Sequence, residues 1–165
     1  MKNLMCSLLA VGLLLASCQP KQNVPTDTTA AKSAVTTQLE KFHAAFQGKD
    51  MITLASMLDS TGLYCGTDPQ EMFTKETFLN SCKQAFSDTA IKLAYAIDKM
   101  EIRVSNDGNS AISMEQYNFK LFTPKISWRA VAHLSKTGDN WMIDFISWSL
   151  IPKNADIEKL NKALE

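Results

Sequence analysis

Glu115 and Tyr117 stand two residues apart in an alternating stretch from Ala111 to Phe122, so their side chains leave a strand on the same face. A carboxylate beside a phenol suits proton abstraction next to a carbonyl: the carboxylate takes the proton and the hydroxyl holds the oxyanion. The couple works only if that face is concave. Other acid–base groups are few. The chain has 2 histidines. His43 follows Phe42 in a helical stretch, where a neutral, hydrogen-bonded or solvent-facing ring is the default, and His133 lies in an alternating one. Asp68 precedes Pro69 in Gly66-Thr67-Asp68-Pro69, where an aspartate ordinarily bonds its own turn backbone. No Gly-rich phosphate loop, zinc-spaced cluster or nucleophile elbow occurs, so neither a metal nor a cofactor is expected.

These groups sit in one domain behind a leader. The chain begins MKNLMCSLLAVGLLLASCQP: Lys2, then an apolar run from Leu4 to Leu15, then Ala16 and Ser17. This is the layout of a secretory signal, and the run is shorter than the ~20 residues a membrane-spanning helix needs. Leu15-Ala16-Ser17-Cys18 resembles the bacterial lipobox, which implies removal of residues 1–17 and acylation of Cys18 by palmitate or a similar chain. The resemblance places the protein in the bacterial cell envelope as a lipoprotein held to the membrane by its anchor, at the outer membrane facing the periplasm. Residues 18–30, polar and with two prolines, read as a flexible tether. The remainder is one domain of ordinary size. A formal net charge of +0 supplies no basic excess for nucleic acid. Of the 4 cysteines, Cys6 leaves with the leader and Cys18 carries lipid; Cys65 and Cys82 form one bridge or stay free as buried small hydrophobes.

Val35, Leu39, Phe42 and Phe46 recur at helical spacing, and Gly48-Lys49-Asp50 separates that helix from a second bearing Met51, Leu54, Ala55 and Leu58. Leu63-Tyr64-Cys65 is extended and Gly66 to Pro69 breaks the strand. Thr74 caps a third helix bearing Phe78, Cys82, Ala85 and Phe86. The period then changes to two. Met100, Ile102 and Val104 alternate with polar residues, NDGN turns the chain, and strands 111–122, 128–134 and 141–150 complete a four-stranded antiparallel meander. Residues 153–165 form a final amphipathic helix capped by Asn154. Helices followed by a meander make an α+β layer fold with helices on one face of the sheet.

Alternation assigns faces in the last hairpin. With Leu134 paired near Trp141, residues Trp128, Ala130, Ala132 and Leu134 share a face with Trp141, Ile143, Phe145 and Ser147. The opposite face carries Arg129, Val131 and His133 beside Met142, Asp144, Ile146 and Trp148, a mixture suited to a protein contact.

The stretches GKDMITLASML, LYCGTDPQEMF and WMIDFISWSLIP, in this order of helices and strands, resemble the SnoaL-like branch of the nuclear-transport-factor-2-like superfamily over residues 31–152. The resemblance implies an NTF2-like cone: a curved antiparallel sheet wraps the N-terminal helices around a cavity, and the convex face often makes a homodimer. Relatives include a ketosteroid isomerase, polyketide cyclases, dehydratases and proteins without chemistry. Branch members commonly carry histidines near positions 145 and 147, where this chain has Phe145 and Ser147, so obvious acid–base groups are missing. The expected protein is a non-catalytic binder of a small apolar molecule, with Tyr64, Phe73, Trp128, Phe145 and Ser147 lining its cavity and Arg129, His133, Asp144, Ile146 and Trp148 on its dimer face. The alternatives are a cofactor-free isomerase, cyclase or dehydratase using Glu115 and Tyr117, or an accessory protein acting through its dimeric sheet.

Overall fold

The structure, a computed structural model, describes residues 27–165. The leader, Cys18 and the tether up to residue 26 lie outside the described residues. Helix α1 (Thr29–Gln47) takes in the last two residues of the expected tether. Val35, Leu39 and Phe42 on its apolar stripe are buried. Gly48 and Lys49, the latter at φ 56°, break the helix, and the Asp50 side chain accepts from Thr53 N at 3.0 Å to start α2 (Met51–Met57). Leu58, expected to complete the apolar side of this helix, instead opens strand β1 (Leu58–Cys65). A short β2 (Met72–Phe73) precedes α3 (Lys75–Phe86), which the Thr74 side chain caps as expected. Strands β3 (Ile97–Val104), β4 (Ser110–Tyr117), β5 (Ser127–Thr137) and β6 (Asn140–Ile151) form the meander. Lys153 and a 3₁₀ turn at Asn154–Asp156 lead into α4 (Ile157–Ala163), which is capped by no side chain and buries none of its residues.

The fold is α+β, with a six-stranded sheet in the order β2-β1-β6-β5-β4-β3. Only the β1–β6 pair is parallel. Leu39, Leu54, Leu58, Leu134, Ile143 and Ile146 are all but inaccessible and join α1 and α2 to the inner sheet face. Burying each such side chain contributes ~1.5–3 kcal/mol. Burial alternates cleanly along β4, where Ala111, Ser113, Glu115 and Tyr117 face inward and Ile112 and Met114 outward.

Alternation fails in β6, and this reverses part of the sequence reading. Leu134 pairs with Ile143 but His133 pairs with Phe145, leaving Asp144 as the extra residue of a β-bulge. The register at Leu134 differs from the expected one by two residues, which preserves faces; the bulge adds one, which inverts them. Before it, Trp141 and Ile143 point inward as expected. Beyond it, Ile146 and Trp148 turn inward against Ala132 and Ala130, while Phe145 and Ser147 join His133 and Val131 on the outer face. That outer face keeps Ile112, Met114 and Leu63 exposed to 53%, 46% and 39%, so an apolar surface there meets solvent.

Candidate functional site

The open end of the cone holds a cavity of about 410 Å³. Phe42 and Phe46, one turn apart on α1, form one wall. Tyr117, Trp128 and Trp148 rise from β4, β5 and β6 opposite, and Phe78 and Cys82 of α3 close a third side. Two connections bring further rings: Tyr95 before β3, and Phe119 and Phe122 between β4 and β5. The rings pack in sequence. Phe78 stacks on Trp148 at 5.7 Å and 12°, Tyr95 on Tyr117 at 4.8 Å and 26°, and Tyr117 on Trp128 at 6.2 Å and 21°. Aromatic pairs add ~0.5–1.5 kcal/mol beyond the area they bury. The Trp128 indole N–H donates to the Thr123 hydroxyl at 2.6 Å, which fixes that ring in the wall.

Behind Tyr95 and Tyr117 lies a polar cluster. His43 Nε2 is 2.8 Å from Glu115 Oε2, and His43 Nδ1 is 2.8 Å from the Tyr95 hydroxyl. A carboxylate only accepts, so His43 Nε2–H donates to Glu115; with a neutral imidazole, the Tyr95 hydroxyl donates to Nδ1. Glu115 is 0% exposed and His43 5%, and neither lines the cavity. Glu115 Oε1 and Ser113 Oγ, on the same face of β4, have no hydrogen-bond partner among the described residues.

Burial acts on the other ionisable walls. Desolvation first holds Tyr95 and Tyr117 well above the ordinary phenol value; for Tyr95 the neighbouring Tyr117 and then Glu115 add to this, and for Tyr117 Glu115 does. Burial pushes the Cys82 thiol up to about 12. Cys82 and Cys65 are both free, so the unbridged reading holds. Among the described residues no three metal-ligating side chains lie together.

The family profile for a SnoaL-like domain matches residues 35–153. The chain belongs to the SnoaL-like domain family. Solved structures resemble this SnoaL-like domain at low identity. An NTF2-like protein of unknown function from Pseudomonas putida matches with a TM-score of 0.63 and 14% identity, covering 73% of this chain and 87% of that one. An NTF2-like protein from Cytophaga hutchinsonii has a TM-score of 0.60 and 18% identity over 73% and 98% of the two chains. A domain of unknown function with a cystatin-like fold from Nostoc punctiforme has a TM-score of 0.65 and 13% identity over 81% and 85%. These likenesses establish the NTF2-like, cystatin-like fold. No curated protein matches the sequence.

Within this SnoaL-like domain the sequence-selected residues separate. Phe73 and Trp128 line the cavity. Tyr64 does not: it is 0% exposed beneath Phe78, and its hydroxyl reaches the carbonyls of Asp59 and Ile143, both at 2.9 Å. Gly62 permits this, because a Cβ there would stand 2.3 Å from the Tyr64 hydroxyl oxygen. Phe145 and Ser147 are on the outer face, and Trp148, assigned to the dimer face, lines the cavity instead; Ile146 is buried in the core. The residues at 145 and 147 therefore decide nothing about acid–base groups inside the cone. Arg129, His133 and Asp144 stay on the outer side, the last two joined by a 2.5 Å hydrogen bond between His133 Nδ1 and Asp144 Oδ1. Glu115 and Tyr117 do share the inner face, but only Tyr117 reaches the cavity. Sequence reading missed His43 as the partner of Glu115, and Tyr95 entirely. The helical position of His43 was visible; the strand it would meet was not.

Proposed function

We propose that this domain binds a small, largely apolar molecule among the rings of its cone and performs no chemistry on it. One observation carries the reading: the carboxylate that would serve as base, Glu115, is sealed behind Tyr95 and Tyr117, leaving a cavity about 410 Å³ in volume walled chiefly by aromatic rings. Such a site holds flat or branched apolar bodies by contact area. The enzymatic alternative would route a proton along Glu115, His43 and Tyr95 to the cavity, since these three are joined at 2.8 Å per step. Its carboxylate, Glu115, does not itself face the cavity.

In the same proposal, the lipobox-like start anchors the domain to a bacterial membrane through acylated Cys18, on the periplasmic side of the outer membrane. The outer sheet face pairs two copies through Ile112, Met114, Val131 and Phe145, with Arg129, His133 and Asp144 at its polar positions. An isologous contact would remove this face from water.

The test uses Ala85→Trp. Ala85 borders the cavity yet is solvent-exposed, so a larger side chain there fills the mouth without overpacking the core. Titration with an environment-sensitive apolar dye should saturate at the wild type and fail at Ala85→Trp with the melting temperature unchanged. A dye that binds both proteins equally would contradict the assignment of the cavity.

A further inference from the structure

The cavity wall contains one charged side chain among the described residues, Glu71, and no Lys, Arg or His. Glu71 sits in the turn just before β2, two positions ahead of Phe73, and both residues line the cavity. The backbone of Gly66 donates to the Glu71 carbonyl at 2.9 Å, holding this residue across from the end of β1. Its carboxylate then folds over Gly66. A Cβ at position 66 would lie 2.0 Å from Oε2, so only glycine leaves this place free. Oε2 accepts one backbone N–H, that of Asp68 at 3.1 Å, and the carboxylate takes part in no ion pair among the described residues.

Resting on the binding reading above, we propose that the ligand is an organic cation: an amine or quaternary ammonium group on an apolar body, its head at Glu71 and its body among the rings. Both parts of the wall favour positive charge. Aromatic faces are negative at their centres and attract ammonium groups, most strongly when desolvated. A half-buried carboxylate attracts a cation more than one in open water does. A carboxylate or phosphate ligand would meet repulsion from Glu71 and no cationic partner, and a neutral ligand would leave the carboxylate with its single backbone bond. Thr67 and Ser81 line the same cavity, and their hydroxyls offer acceptors for the N–H groups of a primary amine.

The experiment compares three probes with one ring system: (naphthalen-1-ylmethyl)trimethylammonium, 1-naphthalenemethanol and 1-naphthoate. Each is titrated calorimetrically into the purified full-length protein and into Glu71→Gln, which keeps the side-chain shape and removes the charge. The wild type should bind the ammonium about tenfold more tightly than the alcohol, a difference of ~1.4 kcal/mol, with naphthoate weakest. In Glu71→Gln that preference should fall to about twofold, the share the rings supply, with the variant's fold checked by its circular dichroism spectrum and melting temperature. An ammonium that binds the wild type no better than the alcohol overturns the proposal, as does a preference that survives undiminished in Glu71→Gln. If none of the three binds, the apolar-binding reading itself is overturned.

Discussion

Removing one member of the His43–Glu115 pair should cost far more stability than removing both. Glu115 is 0% exposed and, among the described residues, one of its oxygens lacks a partner and the 2.8 Å bond from His43 is its sole compensation for leaving water. His43→Ala strands that carboxylate in the interior. Breaking one side of a buried pair costs ~3–5 kcal/mol, and at ~2–4 °C per kcal/mol the melting temperature should fall by about 6–20 °C. Glu115→Ala should cost nearly as much, because the imidazole then loses its acceptor and a void opens beside Ser113. The double variant His43→Phe with Glu115→Met, apolar and of similar volume, should lie within ~1–2 kcal/mol of wild type or above it. Tyr95→Phe removes only a hydroxyl and should cost ~1–3 kcal/mol. Urea unfolding of the set, with a His43→Ala, Glu115→Ala double-mutant cycle, supplies the coupling energy, expected at about 2–3 kcal/mol. The reasoning is refuted if each single alanine variant costs under ~1 kcal/mol with no coupling, since the pair would then be hydrated.

Three further outcomes are expected. All 3 tyrosines of the chain are held above their ordinary value of 10.0, chiefly by burial. A folded-state value raised above the unfolded one stabilises fully below pH 10 and is lost as pH climbs beyond it, so tyrosinate absorbance should appear only together with loss of circular dichroism. A tyrosine ionising near pH 10 in the folded protein would contradict this. Cys18→Ala should abolish incorporation of labelled palmitate and move the protein out of the membrane fraction, because one acylated cysteine supplies the proposed anchor; unchanged fractionation without acylation of the wild type would remove the lipoprotein proposal. Val131→Glu, on the outer sheet face, should convert a dimer to a folded monomer in sedimentation equilibrium, whereas Trp148→Glu should destroy probe binding; a wild type that sediments as a monomer removes the dimer proposal.

Regular periodicity was the legible part of this chain. The stripe at Val35, Leu39 and Phe42, the Thr74 cap and the alternation of β3, β4 and β5 each follow from local spacing, and each has its place in the structure. Two departures were not legible. The bulge at Asp144 inserts a single residue into a strand that otherwise alternates, and nothing local marks it, because the residue is charged and lies on the outer side among other polar groups. Everything downstream of it, including Phe145, Ser147, Ile146 and Trp148, was consequently placed on the wrong face. The parallel pairing of β1 with β6 is the second, a contact between segments about 80 residues apart that no pattern within either strand encodes. The site inherits these limits. Glu115 and Tyr117 were visible as a couple, while His43, Tyr95 and Glu71 acquire meaning only once α1, the connection before β3 and the β1–β2 turn converge.

Native mass spectrometry of the protein released gently from its own host tests the central claim most directly. Wild type should carry an additional small molecule that dissociates on collisional activation, while Ala85→Trp, equally folded, should arrive at its bare mass. A wild type that arrives bare and also binds no apolar probe would contradict a ligand-binding cone.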